Sequence, residues 1–378
     1  MKSPFHPVPS GDRRVGRLYL EALRQAGHRC EVVSDLRTHL QEPTPARLAD
    51  RRRQAAIEVA RLSDEFDRGA RQRPDLWFTY HLYYKAPDWI GPPVCQALGI
   101  AYVVAEASYA PKRAGGPWDA GHRATREALM MADAVLSPTK LDMACVQPLL
   151  APGACHTLVP PFLDPTSLAA AAGQRKLHRQ HVGRTLDLRG DRPRLLAVAM
   201  MRDGAKLESY RLLAHALGLI ADRPWDLIVV GDGPAAPQVR DAFAALGPRV
   251  RWVGAVPESE LPAYYASSDI YVWPAVHEAY GMAILEAQAA GLPAVLGDVR
   301  GVPDVVERDR TALLVPEGNV QDLAGAMRRL LDDEPRRREM GRAALEFVAN
   351  HRTITAAARA IDRVLAEAVL AHRDRHAP

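Results

Sequence analysis

At 378 residues, with 48% hydrophobic and 25% charged side chains, the chain has an ordinary globular composition and enough length for two domains. Forty-nine basic against 45 acidic side chains leave a formal charge of +4, too even a balance for nucleic acid as the main partner. Cys30, Cys95, Cys145 and Cys155 form no C-x-x-C pair, no apolar run reaches the ~18 residues a bilayer requires, and no signal-peptide pattern opens the chain. The expectation is a cytoplasmic protein, with peripheral membrane contact left open. The Arg51, Arg52, Arg53 triplet reads as a solvated helix face.

In chain order, Val15, Leu18, Tyr19, Ala22, Leu23 and Ala26 keep helical spacing and stop at Gly27. Strands are predicted at residues 30–33, 75–80, 100–105, 134–137 and 156–160. A second series follows at 194–201, 225–230, 249–253, 270–273 and 294–296, with helical patterns between most of them. Such alternation predicts layered α/β domains. The division expected is an N-terminal domain over 1–165, a linker over 166–193 and a second domain over 194–350. A C-terminal helix over 351–378 either ends the second domain or crosses back to the first. Residues 1–10 (MKSPFHPVPS) hold no strand-length apolar run, although a doubly wound domain should open with a buried strand. Either that strand lies outside this sequence or the domain is unusual; the first is favoured.

Three clusters carry chemistry, each where a strand hands over to a helix, the ligand end of an open α/β sheet. Pro9, Ser10, Gly11 and Asp12 form a tight loop before a helix, whose free N–H groups suit an anion. Read alone, a plain capped turn explains it equally well. Arg202 and Lys206 follow the 194–201 strand, two cations suited to a diphosphate or, as readily, to an exposed loop. Gly231 sits in the GDGP turn after the next strand, a partial dinucleotide fingerprint lacking its third glycine.

The third cluster is HEAYGMAILE, with Glu278 and Glu286 separated by seven residues. On one continuous helix the two acids would stand about 80° apart. The preferred reading leaves Glu278 in the loop and Glu286 in the helix's second turn. The amides of Gly281, Met282 and Ala283 then open the helix between them, ready for a phosphate. A sugar joined through diphosphate to ribose would suit such a site.

Residues 249–331 resemble, along their length, the nucleotide-binding half of retaining glycosyltransferases of family four, through the E-x7-E spacing followed by AAGLPAV, an acid before VV, and TALLV. PSGDRRVGRLYLEALRQAGHRCEVVS, LSPTK and LVPPFLDP resemble the family's first half more loosely. The resemblance implies the GT-B fold, two Rossmann-like domains facing across a cleft. It implies that Glu278 contacts the donor sugar and Glu286 the ribose. Tyr280, Gly281, Met282, Ala283 and Gly11 would hold the diphosphate, Arg202 and Lys206 would offset its charge, and Val256 would lie near the base. The family commonly places an Arg five or six residues before the Lys, where this chain has Met200 and Met201. It often ends a central strand with His, where this chain has Glu106, with His81 and His122 as alternatives.

The implied activity is transfer of a sugar from a nucleotide-diphosphate-sugar to an acceptor hydroxyl, with retention and with no metal or cofactor beyond the donor. The acceptor class is open: a glycan, a lipid-linked sugar or a small molecule. The alternatives are a nucleotide-sugar-binding protein without turnover and a nucleotide-sugar epimerase of the same architecture.

Overall fold

The computed structural model describes residues 3–5, 7, 10–188 and 190–375. Half of residues 1–10, including Pro9 of the predicted turn, lies outside the described residues. The chain divides into two compact α/β units, Met1–Pro160 together with Ile354–Pro378, and Pro161–Thr353.

In the first unit, α1 (Gly11–Gln25) begins at Ser10, whose hydroxyl accepts from the Arg13 amide at 3.2 Å. That cap satisfies one of the first-turn N–H groups the helix leaves unpaired. The helix buries Val15, Tyr19, Ala22 and Leu23, four residues of the apolar stripe its sequence predicts. Next come α2 (Pro45–Asp67), β1 (Leu76–Leu82), α3 (Gly91–Leu98), β2 (Ala101–Ala107), α4 (Asp119–Met131), β3 (Ala134–Ser137), α5 (Lys140–Val146) and β4 (Cys155–Leu158). The strands form one parallel sheet in the order β1-β2-β3-β4.

The strand expected at residues 30–33 does not form. Among the described residues no strand pairs with that segment; the Val33 carbonyl instead accepts from the Arg61 guanidinium at 2.8 Å, and Val32 is exposed. Its apolar run is too short and too open to solvent to make a buried parallel strand.

The second unit contains α6 (Thr166–Gly173), α7 (Arg175–Thr185), β5 (Arg194–Val198), α8 (Ala205–Gly218), β6 (Asp226–Val230), α9 (Ala236–Ala242), β7 (Val250–Gly254), α10 (Leu261–Ser267), β8 (Ile270–Trp273), α11 (Met282–Ala289), β9 (Ala294–Asp298), β10 (Ala312–Pro316), α12 (Val320–Asp332) and α13 (Glu334–His351). Its sheet is parallel, in the order β10-β9-β8-β5-β6-β7. The order reverses between β5 and β8, and that is where an open sheet parts its crossovers and opens a crevice.

Residues 166–193 are therefore largely structured rather than a linker. Arg175 and Arg179 of α7 reach Asp269, at 2.6 and 2.7 Å, and Asp269 also accepts from the Arg194 amide at 2.7 Å. The polar composition that suggested a hinge belongs to side chains fixing this helix to the ends of β5 and β8. β10 was absent from the expected strands because its five residues follow a charged turn and carry no alternation. The closing helix α14 (Ile354–Arg375) belongs to the first unit. It buries Ile361, Val364, Leu365 and Ala368, and its His372 and Arg375 both reach the buried carboxylate of Asp133.

Candidate active site

At the reversal point of the second sheet, β5 and β8 each deliver one charged side chain. After β5 the chain turns through Gly204, whose φ of 76° is open to glycine at little cost, and α8 starts at the next residue. Lys206 is thus in the first turn of α8. After β8 the chain runs through Ala275 and His277, at φ 59° and 50°, and then Gly281 at 76°. Two non-glycine residues in the left-handed region within three positions cost of order 1–3 kcal/mol each. The surroundings hold them there. The Val276 amide donates to the buried Ser209 hydroxyl at 3.0 Å, the His277 amide to Glu317 at 3.0 Å, and the Gly301 amide to the Ala279 carbonyl at 2.9 Å.

That loop presents Glu278, and Lys206 forms an ion pair with its Oε2. The same oxygen accepts from the Trp273 indole N–H at 3.3 Å, while the Lys206 ammonium lies 5.2 Å from the Trp273 ring centroid. Trp273, fully inside the core, is a platform for both charges. In sequence it is only the residue that ends the 270–273 strand. A Trp one step before Pro at the C-terminal end of a strand was the available signal.

Gly281 caps α11 without a side-chain bond, leaving the first helical amides to the loop side. Glu286 stands in the second turn of α11 and is 4% exposed. Its carboxylate accepts from the Tyr265 hydroxyl at 2.7 Å. Loop glutamate and helix glutamate are therefore distinct in kind, one in an ion pair at the surface of the crevice, the other buried and hydrogen-bonded. Burial, together with the negative charges of Glu278 and Glu286, raises the Tyr271 hydroxyl well above its ordinary range.

The remaining candidates in this unit fall around the same edge. Arg202 is exposed on the loop before α8. Val256 is half-buried beyond β7. Gly231 has a packing reason of its own, because a Cβ there would come within 1.9 Å of the Ala199 carbonyl oxygen. The loops after β5 and β6 are zipped together by bonds from Met201 N to Asp232 O at 2.9 Å and from Ala235 N to Met201 O at 3.0 Å.

In the first unit, Gly11 is the first residue of α1, and a Cβ on it would meet nothing within 4 Å. Glu106 is 8% exposed near the C-terminal end of β2, with φ 55°. His81 occupies the matching place on β1, with φ 63°, between the paired positions Tyr80↔Ala105 and Leu82↔Ala107. Its Nδ1 stands 3.4 Å from Asp12 Oδ1. Burial alone would raise the Asp12 carboxyl, but the facing His81 imidazole outweighs it and lowers Asp12 from its ordinary value. Burial, with the charge of Glu106, also raises the Tyr19 hydroxyl well above its ordinary range. His122, the other alternative, is buried on α4 and stacks on Tyr109 at 4.6 Å, its Nε2 without a hydrogen-bond partner among the described residues.

No group of three His, Cys, Asp or Glu side chains among the described residues is placed to hold a metal ion. No helix among them is long and apolar enough to cross a membrane.

Comparison with known proteins places this edge in context. Residues 192–333 match the family described as glycosyl transferases group 1. The D-inositol 3-phosphate glycosyltransferase of Corynebacterium aurimucosum is 35% identical over 165 residues, 42% of this chain and 39% of that protein. The 2-deoxystreptamine glucosyltransferase of Streptomyces kanamyceticus is 35% identical over 130 residues, 33% of this chain and 34% of that protein. The chain thus spans about two fifths or less of the length of these curated relatives. Among solved structures, a glycosyltransferase from Rickettsia africae superposes with TM-score 0.71 at 15% identity, covering 96% of each chain. A sucrose-phosphate synthase from Thermosynechococcus elongatus gives 0.68 at 21%, covering 95% and 94%. At those identities the likeness is one of fold, and the fold is GT-B. The Lys206–Glu278 pair lies within residues 192–333, the stretch that matches the group 1 glycosyl transferases.

Proposed function

We propose that the protein transfers a sugar from a nucleotide-diphosphate-sugar to an acceptor hydroxyl, with retention of anomeric configuration. The observation that carries the reading is the Lys206–Glu278 pair at the reversal of the sheet, beside the amides that open α11. A diphosphate departing from an oxocarbenium-like carbon gains charge as it leaves, and fixed cations and amide donors lower that barrier most. In this reading Lys206 and Arg202 offset the diphosphate. The amides at Tyr280, Gly281, Met282 and Ala283 bind its oxygens. Glu278 exchanges its ion pair for the sugar hydroxyls, Glu286 fixes the ribose, and Gly231 and Val256 line the nucleotide end.

Glu106, near the end of β2, and Gly11, the first residue of α1, enter as the first unit's candidates. Glu106 would act on the reacting sugar and Gly11 on the diphosphate. The departing phosphate takes the acceptor's proton, so the reaction uses no cofactor and no metal beyond the donor itself. An Anabaena protein of 16% identity and TM-score 0.62 was solved with UDP and glucose, a ligand class that fits this site.

The test begins with a panel of nucleotide-sugars screened for thermal stabilisation, since a specific ligand raises the melting temperature by mass action. Transfer is then followed by NMR with the stabilising donor. Glu278→Gln is expected to abolish transfer and keep nucleotide binding. A product of inverted configuration, or donor turnover to an epimer without acceptor, would refute the reading.

A further inference from the structure

One side chain of α8 touches the backbone on both sides of the ion pair. Ser209 is fully buried, and its hydroxyl donates to the Ala205 carbonyl at 2.9 Å while accepting the Val276 amide at 3.0 Å. Ala205 immediately precedes Lys206, and Val276 stands two residues before Glu278. One oxygen thus joins the two segments that carry the opposite charges. The next residue adds two more ties. The Tyr210 hydroxyl donates to the Ala199 carbonyl just after β5 at 2.8 Å, and its ring meets Trp273, the platform of the pair, edge to face at 5.0 Å.

The Glu278 loop requires such a hold. Val276 lies between Ala275 and His277, both at positive φ, and a side-chain-bearing residue stays in that region only while its surroundings fix it there. Three bonds hold the loop, and they differ in kind. The acceptor of the His277 amide, Glu317, has a side chain 39% exposed, so water can take its place at little cost. The bond from the Gly301 amide to the Ala279 carbonyl ties the loop to the turn after β9, which carries neither Lys206 nor Glu278. Of the three, the Ser209 bond is the one buried at both ends, and the one that starts from the helix of Lys206.

We propose that Ser209 is a positioning residue: by tying Val276 to the first turn of α8 it sets where Glu278 stands relative to Lys206, and so where the donor sugar is held. The last clause rests on the transferase reading; the placing of Glu278 does not. A helix serine that only bonds back to the carbonyl four residues earlier is a local structural feature. Ser268 makes that bond to Tyr264 at 2.8 Å, is as buried as Ser209, and has no hydrogen bond to the Glu278 loop among the described residues. It is the control.

The Trp273 indole N–H, bonded to Glu278 Oε2 at 3.3 Å, reports the place of that carboxylate without any turnover. Its NMR resonance in the full chain, assigned by its loss in Trp273→Phe, should move in Glu278→Gln. It should move the same way in Ser209→Ala and in Ser209→Cys, which nearly keeps the volume but offers a weak acceptor. Ser268→Ala should leave it in place. In the unaltered protein the Val276 amide should exchange with solvent more slowly than the His277 amide, whose acceptor is exposed. With the donor and acceptor selected by the stabilisation panel and the transfer assay, Ser209→Ala should lower kcat at least about tenfold. Affinity for the matching free nucleoside diphosphate should stay within about twofold, because the sugar meets Glu278 and the nucleotide does not. A Trp273 resonance unmoved in both Ser209 variants or moved equally in Ser268→Ala overturns the inference. So does a Val276 amide exchanging as fast as that of His277, or nucleotide affinity falling as far as kcat. If no nucleotide-sugar is turned over, the transferase reading fails, and the resonance and the exchange rates still decide whether Ser209 places Glu278.

Discussion

Lys206 and Glu278 neutralise one another across the reversal of the second sheet, with the Trp273 indole serving both. Before any ligand arrives, neither charge is free. On the proposed function, a donor that enters would divide the pair, drawing the ammonium toward phosphate and the carboxylate toward hydroxyls.

Removing the cation should therefore cost more in turnover than in folding. Lys206→Ala is expected to lower kcat by about a hundredfold or more. Its side chain is 32% exposed, so the stability change should stay within about 1 kcal/mol. Steady-state kinetics and urea unfolding on the same preparation measure both. An unfolding loss matching the kinetic loss would assign Lys206 to structure alone.

Glu286 should behave in the opposite way to Glu278. Glu286→Ala removes the 2.7 Å carboxylate partner of the buried Tyr265 hydroxyl and leaves it the Ala283 carbonyl at 3.4 Å, and losing a buried hydrogen bond to a charged group costs about 2 kcal/mol. Tyr265→Phe in the same background should recover part of that loss. Denaturant midpoints of the two single variants and the double variant complete the cycle.

The two glycines proposed to approach the donor can be told apart by stability. In Gly231→Ala the new Cβ meets the Ala199 carbonyl oxygen at 1.9 Å with φ at 139°, so a loss of about 3 kcal/mol is expected. Gly11→Ala places its Cβ in open space and should leave the melting temperature within a degree or two. A fall in nucleotide affinity in Gly11→Ala at unchanged stability would then report ligand contact.

Acid sensitivity of the second unit should centre on Asp269. Burial works against its charge, but Arg179 and Arg175 prevail and hold the carboxyl below 3.8 in the folded state. The stabilisation is present above the unfolded value and drains away as pH falls through the lower folded one. Asp269→Asn should cost about 3 kcal/mol near neutrality. It should also flatten the loss of stability that the unaltered protein shows below about pH 4. Unfolding curves between about pH 6 and about pH 2.5 give the comparison.

Strands with continuous apolar runs were legible to within a few residues, because a parallel sheet buried on both faces leaves that signature: β3 and β8 coincide with their predicted spans. The placing of Glu278 in a loop and Glu286 in the second helical turn was legible as well, since Gly281 marks the helix start. What escaped was tertiary. Residues 30–33 have strand composition and, among the described residues, no neighbour to pair with. α7 has the polarity of a linker, because Arg175 and Arg179 spend their charge on a half-buried aspartate far along the chain. Trp273 and Ser209 escaped for the same reason: their roles exist only once β5 and β8 lie side by side.

The clamp on Asp133 has a consequence for biosynthesis. Its carboxylate takes the Tyr102 amide at 2.7 Å from its own sheet, and the His372 and Arg375 side chains from the last turns of α14. A ribosome making this chain finishes the whole Pro161–Thr353 unit before the residues that close the first one emerge. The half that begins first is completed last, so during translation β2, β3 and β4 must wait for the final helix that packs on them.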